Sequence, residues 1–349
     1  MNLATTVRTV WIKQRNAVPP SAKRALRTAD GLAALVAFAV IAAHAHAIYF
    51  PSADASAPQG RAQSGLKSDS AGSGGFTLTG RDALAAAYVG IPDHYRSDVH
   101  IKRPDGTDLT MKNLHWEGEP FHFPLYAGVR YVSWRGNVGG MIDFLHDKAV
   151  SRVGKGAHGR RLKGPLTVPE TLEMEGTLKG MPAPKSAKIT DVVERLEFSH
   201  GHNMLLPTFL MRLGKLAPQL SLYGGLGAGV ALPHVEIWPA GEGEAAKTNE
   251  YQLAGPAGQF VVGLEWQGAY GSLFLEYKFT LASLATSMTG GKTPSWCNCD
   301  IVSDFGRHIW NWWNGVTPAY GSLSTTLSGH QIVGGIGYRP GSIVRTKTP

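Results

Sequence analysis

Four short stretches of this 349-residue chain combine side chains that can transfer protons or hold a metal. They are His146, Asp147 and Lys148; Glu197, His200, His202 and Asn203; His234 and Glu236; and Glu250, Tyr251 and Gln252. An imidazole beside a carboxylate moves protons near neutral pH, and histidines with a carboxylate also suit transition metals. No two of these histidines have the helix-borne i, i+4 spacing of zinc hydrolases, so a shared site must be assembled by the fold. Taken alone, a histidine at such a position is more often a solvated polar residue than a ligand.

The elements that must position these residues read as strands. Eight segments alternate in character: Ala83 to Ile91, Phe123 to Trp134, Gly139 to Ser151, Val193 to Gly214, Gln219 to Ile237, Gly255 to Trp266, Gly271 to Ala285 and Ser322 to Arg339. The connections Arg135 to Val138, Lys215 to Pro218 and Gln267 to Tyr270 are short, and the other four are long. Short periplasmic turns alternating with long extracellular loops, and an even strand count, are the organisation of an outer-membrane barrel. The expected fold is therefore all-β, an eight-stranded antiparallel up-and-down transmembrane β-barrel. A soluble sandwich or lipocalin-type barrel predicts no such alternation of loop length and a polar outer face. Strand seven argues against that, with Leu273, Leu275, Tyr277, Phe279 and Leu281 on one face and Ser272, Glu276, Lys278 and Thr280 on the other. Phe260, Val262, Leu264 and Trp266 repeat the apolar face in strand six, Ile336 and Tyr338 end strand eight, and Trp266 and Trp134 are expected in an aromatic belt at the turn end. An eight-stranded barrel is filled by its own side chains. Strand parity points Arg130, Asp143, Arg212, Glu265, Glu276 and Lys278 inward, where three positive and three negative groups can pair. Strands three to six then bring the four chemical stretches to one outer rim.

Before the strands, Gly31 to Ala43 is an uncharged run preceded by six basic residues and followed by Ala45, His46 and Ala47. That is the pattern of a signal peptide cut after Ala47. The organisation expected is a leader at 1 to 47, a flexible linker at 48 to 78, the barrel at 79 to 340 and a polar tail at 341 to 349. The leader carries six of the 34 basic and one of the 26 acidic residues, leaving 28 against 25, a net charge of +3. So mild a charge removes the support for a nucleic-acid partner. Cys297 and Cys299 are too close to make a good staple, and as a pair alone they fall short of a metal site. Lys155, Arg160, Arg161 and Lys163 make one outer loop basic, and Trp296, Trp310, Trp312 and Trp313 crowd the last loop. A basic loop is suited to lipid phosphates and an aromatic one to the membrane interface.

Several stretches, read together and in order, resemble the bacterial lipid A oxidase family. They are SDVHIKRPDGTDLTMKNLHWEG at Ser97 to Gly118, YAGVRYVSW at Tyr126 to Trp134, DFLHDKAV at Asp143 to Val150, LEFSHGHNML at Leu196 to Leu205, YGGLGAGVALPHVE at Tyr223 to Glu236 and EYQLAGPA at Glu250 to Ala257. The resemblance covers about residues 85 to 340. It implies an outer-membrane barrel, expected as a monomer, that oxidises the proximal glucosamine of lipid A to 2-aminogluconate with molecular oxygen as co-substrate. Its partners would be lipopolysaccharide and outer-membrane lipid. Carried over by position, the candidate catalytic residues are His146, Lys148, Glu197, Asn203, His234, Glu236, Tyr251 and Gln252. His200 and His202 stand where the family is expected to have Asp and Leu.

Oxidising a hemiacetal carbon needs a base for the anomeric proton and a route for electrons to oxygen, and no flavin, haem or nicotinamide motif is present. A divalent transition metal on His146, His234 and Glu236 would fill that role, two histidines and a carboxylate being a facial set for non-haem iron. Two other readings remain: a structural, lipopolysaccharide-binding barrel of the OmpA type, and a lipid A deacylase using Ser199 with His200 and Glu197. The deacylase suffers from geometry, because neighbouring residues on a strand face opposite ways.

Overall fold

Residues of alternating polarity pair into antiparallel strands because each face of a strand then meets one kind of environment. The computed structural model describes residues 82–154, 168–268, 271–291 and 301–339. Contacts divide the chain into Met1–Gln59 and Gly60–Pro349, and every described residue belongs to the second. The leader and its cleavage site, the linker, the basic loop, Trp296, both cysteines and the polar tail lie outside the described residues.

In chain order the strands are β1 (Asp82–His94), β2 (Ser97–Lys102), β3 (Asp108–Leu114), β4 (Trp116–Glu117), β5 (Ala127–Arg135), β6 (Val138–Asp147), β7 (Val150–Ser151), β8 (Thr171–Leu178) and β9 (Met181–Pro182). They continue with β10 (Ser186–Lys188), β11 (Val193–Glu197), β12 (His202–Ala217), β13 (Leu220–Ala231), β14 (His234–Pro239), β15 (Thr248–Tyr251), β16 (Gly255–Gln267), β17 (Gly271–Ser287) and β18 (Ser322–Tyr338). Among the described residues one α-helix, α1 (Ile301–Trp313), lies between β17 and β18. No described helix is long and apolar enough to cross a membrane, which says nothing about strands.

Eight strands close into a ring in the order β1, β5, β6, β12, β13, β16, β17, β18, with β18 pairing back to β1 from Ala85↔Tyr338 to His94↔Gly329. Every ring pairing is antiparallel. The short connections β5–β6, β12–β13 and β16–β17 all fall at one end. The long ones carry everything else. The expected all-β class is observed, and the eight expected strands are the eight of the ring.

Three of the expected strands are each broken in two. The stretch read as Gly139 to Ser151 becomes β6 and β7, Val193 to Gly214 becomes β11 and β12, and Gln219 to Ile237 becomes β13 and β14. The breaks fall at Lys148–Ala149, Phe198–Gly201 and Leu232–Pro233, where Gly201 adopts φ +134 and Pro233 has no N–H to give a ladder. The outer pieces form a second sheet in the order β15, β14, β11, β7, β4. Beyond the mouth of the ring, the upper end of β18 pairs with β2, and the sheet continues through β3 and β8 to β10.

Strand parity sorts the ring's side chains. Ile142, Phe209, Leu226, Leu273, Leu275, Leu281, Ile332 and Ile336 are exposed on the outside. All six charged groups expected inside are buried there. Arg130 Nη1 donates to Glu276 Oε2 at 2.8 Å and its guanidinium lies 3.8 Å from the centre of the Phe274 ring. Lys278 pairs with Asp143, whose other oxygen accepts from the Tyr88 hydroxyl at 2.8 Å. Nearer the turn end, Arg212 Nη2 donates to Asp82 Oδ2 at 2.7 Å, and Arg339 pairs with both Asp82 and Glu265. Trp266 is exposed as expected, but Trp134 is not: it shares the inward parity of Arg130 and is buried under the guanidinium of Arg212, 4.4 Å from its ring centre. The belt assignment of Trp134 is therefore corrected.

Candidate functional site

The break between β11 and β12 builds the site. Glu197 ends β11 directly opposite Glu236 of β14, so two carboxylates meet on one face of the second sheet. In the same sheet His234 lies opposite Tyr251 of β15, with ring centres 4.7 Å apart. The chain then turns through Ser199 and His200. The Gly201 N–H reaches the Phe198 carbonyl at 3.3 Å, while the His234 N–H reaches the Gly201 carbonyl at 2.7 Å. A Cβ on Gly201 would lie 2.4 Å from the Asn203 amide, so only glycine lets the turn come this close.

The result is a compact group around Glu236. Its Oε2 accepts from Arg195 Nη1 at 2.8 Å. Its Oε1 faces His200 Nδ1 at hydrogen-bond distance and His234 Nδ1 at 3.5 Å. Ser199 Oγ sits 2.8 Å from Glu197 Oε1 and 3.2 Å from Glu236 Oε1. Burial and then the charge of Glu236 push the Glu197 carboxyl up, to about 8. Burial opposes ionisation of Glu236 too, but the two imidazoles outweigh it and hold that carboxyl well below its ordinary range. Like charges so close do not both ionise, and the proton resides on Glu197. A hydroxyl has one proton to give, so protonated Glu197 donates to Ser199, which donates to Glu236. Burial also pushes His234 down, keeping it neutral.

His146 and Asn203 are cross-strand partners on β6 and β12 and share the outward parity of Ile142 and Pro207. His146 Nδ1 lies 2.8 Å from Asn203 Oδ1, and Asn203 Nδ2 donates to the Leu232 carbonyl at 3.2 Å. Because that donation fixes the amide, Oδ1 must accept, the imidazole proton sits on Nδ1, and Nε2 is an acceptor. His146 Nε2 is buried with no hydrogen-bond partner. His200 is among its electrostatic neighbours.

His202 and Asp147 have the opposite parity. They point into the mouth of the ring, where His94 of β1 joins them with Nε2 3.4 Å from Asp147 Oδ1 and 2.8 Å from the Lys148 carbonyl. The rim expected as one site is thus two groups, separated by the strands themselves.

The expected residues sort accordingly. His146, Glu197, Asn203, His234, Glu236 and Tyr251 come together around His200. Lys148 does not join them: its ammonium donates to the His122 carbonyl at 2.8 Å and lies 3.8 Å from Glu119. Gln252 is occupied with structure, accepting from Ser287 N at 2.8 Å and donating to the Ser287 carbonyl at 2.8 Å and to Glu250 at 3.0 Å. The expected metal set is also corrected. Among the described residues, ligand atoms lying within 4.8 Å of one another belong to His200, His234 and Glu236, and His146 is bonded to Asn203 instead. A Ser199–His200 dyad does not form, since Ser199 bonds to the two carboxylates and His200 to Glu236. Sequence reasoning missed Arg195 and His94. Arg195 precedes a glutamate by two on one strand face, the one hint that a buried carboxylate there has a partner.

α1 closes the group from the side of β15. Asp304, fully buried, accepts from the Tyr251 N–H at 3.1 Å; Arg307 pairs with Glu250; and His308 Nε2 meets the Leu253 carbonyl at 3.1 Å. Asp304 is the buried residue of this helix, Phe305 lies 6.0 Å from the Tyr251 ring centre, and Val302, Ile309, Trp310, Trp312 and Trp313 are exposed.

No family model matches the sequence, and no curated protein matches it. Among solved structures, it is similar to a Pseudomonas aeruginosa FadL homologue at 8% identity, over 74% of this chain and 90% of that one, with a TM-score of 0.16, a likeness too slight to bear on fold or function.

Proposed function

We propose that the chain is an outer-membrane barrel that oxidises the proximal glucosamine of lipid A to 2-aminogluconate with molecular oxygen. The observation that carries this reading is the placement of the His146–Asn203 pair on the outward side of the rim, directly beyond an apolar outer surface and with His200 of the Glu236 group as its neighbour. A membrane would cover that surface, and the headgroup of an outer-leaflet lipid would lie at this height. The exposed apolar side chains of α1 support it, because a helix that turns Val302, Ile309, Trp310, Trp312 and Trp313 away from the protein is suited to lipid on that side. The resemblance of the six stretches to lipid A oxidases supplies the substrate.

His146 is the base in this proposal. Its Nδ1–H is held by Asn203, and its bare Nε2 takes the proton of the anomeric hydroxyl. C1 loses its hydrogen and two electrons and becomes a lactone carbonyl, and dioxygen takes up two electrons and two protons and leaves as hydrogen peroxide. Water then opens the lactone to the acid, a net gain of one oxygen atom by the sugar. Arg195, Glu197 and Ser199 hold Glu236, and Tyr251 holds His234 in place.

The test is mass spectrometry of lipid A from a Gram-negative host whose proximal sugar bears an unesterified anomeric hydroxyl, expressing this chain with and without air. Oxygen-dependent gain of one oxygen atom on that sugar is expected. Unchanged lipid A, with the protein folded in the outer membrane, overturns the proposal and leaves the structural, lipopolysaccharide-binding barrel.

A further inference from the structure

Three side-chain atoms converge on one small volume in a way that their own hydrogen bonds do not explain. His200 Nδ1 and His234 Nδ1 both face Glu236 Oε1, and the His234 atom, buried, has no hydrogen-bond partner. Glu236 Oε1 already accepts from His200 and from Ser199, which uses both of its lone pairs, so the His234 nitrogen is left with nothing to bind. In a tetrahedral site with bonds of about 2.0 to 2.1 Å, neighbouring ligand atoms lie roughly 3.3 Å apart. The separation from His234 Nδ1 to Glu236 Oε1 is 3.5 Å, and all three atoms fit within 4.8 Å. The surroundings are those of a supported ligand set. Arg195 binds the other oxygen of Glu236, Tyr251 packs its ring on His234, and the Tyr251 hydroxyl donates to the His200 carbonyl at 3.4 Å. The side chain of His200 retains 14% exposure, which makes it the ligand nearest the outside and leaves a route in.

We infer that His200, His234 and Glu236 bind a divalent transition metal, with coordination positions open toward His146. The inference deepens the oxidase reading and rests on it for its chemical purpose. Dioxygen does not accept an electron pair from a C–H bond unaided, and a redox-active ion held by these residues would supply one-electron chemistry beside the base. The set differs from one built on His146, which stays free to act as the base.

The experiment uses the untagged full chain, folded in detergent, stripped with chelator and titrated with Co²⁺ alone. One ion per chain is expected, with visible absorption of a four- or five-coordinate site. His200→Gln, His234→Gln and Glu236→Gln should each weaken binding more than about 100-fold, Arg195→Leu about 10- to 100-fold, and His146→Gln not at all. Folding of each variant is read from heat-modifiable gel mobility. Pulsed electron paramagnetic resonance of Cu²⁺-loaded wild type, which needs no variant, should show two imidazole nitrogens. Absence of binding, binding unchanged in Glu236→Gln, or loss in His146→Gln overturns the assignment. Oxidised lipid A made by metal-free protein sinks the metal and spares the oxidase; a bound metal with unaltered lipid A does the reverse.

Discussion

Each oxygen of Glu236 is committed to different partners, Oε2 to Arg195 and Oε1 to His200, His234 and Ser199. On the oxidase proposal, neutralising it should lower lipid A oxidation at least about 100-fold; because this also strands the buried Arg195, folding is read separately by gel mobility and product by mass spectrometry. His146→Gln should remove the same product while leaving the Glu236 group intact, because it takes away the base alone. Gly201→Ala places a methyl where the Asn203 amide stands, in a backbone conformation that costs a non-glycine residue about 1 to 3 kcal/mol. It should misplace both His200 and His146, and a lowered unfolding midpoint together with lost product would show it. The residue types of the site were legible in the sequence, because imidazoles and carboxylates cluster in it at strand ends. Which of them meet was not. Parity separates His146 and Asn203 from Asp147 and His202, but parity counts only along an unbroken strand, and the breaks at 148–149 and 198–201 reset the direction of Glu197 and His200.

α1 is tied to the second sheet by polar contacts, the buried one being Asp304 to the Tyr251 N–H, and offers apolar side chains outward, the reverse of a helix on a water-soluble protein. Replacing Trp310, Trp312 and Trp313 together with Ser should raise the KM for lipid A in membranes several-fold and leave kcat close to wild type, since none of the three touches the Glu236 group. A fall in kcat at unchanged KM would show that the helix acts on the site and not on the lipid surface. The eight ring strands were legible as period-two alternation and the turn end as short connections. The second sheet was hidden because its strands are two to six residues long, too short for alternation to show. The helix was hidden because its exposed face is the apolar one, which reads from sequence as an aromatic loop.

Across the whole molecule, buried charge is matched inside the ring, with Arg130, Lys278, Arg212 and Arg339 facing Glu276, Asp143, Asp82 and Glu265. Removing one member strands its partner. Lys278→Ala should destabilise the refolded protein by about 3 to 5 kcal/mol, and an Asp143→Leu, Lys278→Met double variant by clearly less, as urea unfolding in lipid would measure. Six of these eight groups were legible from parity; Asp82 and Arg339 were not, because they sit where the first and last strands begin and end. That position has a practical side. Asp82 of β1 pairs with Trp134 and Tyr338 of β18 with Gly271, both beside short turns, so the chain enters and leaves the ring at the end remote from Glu236. A tether attached beyond either strand would hold the molecule to a bead or surface with its chemical face turned away from the support, open to whatever is washed over it.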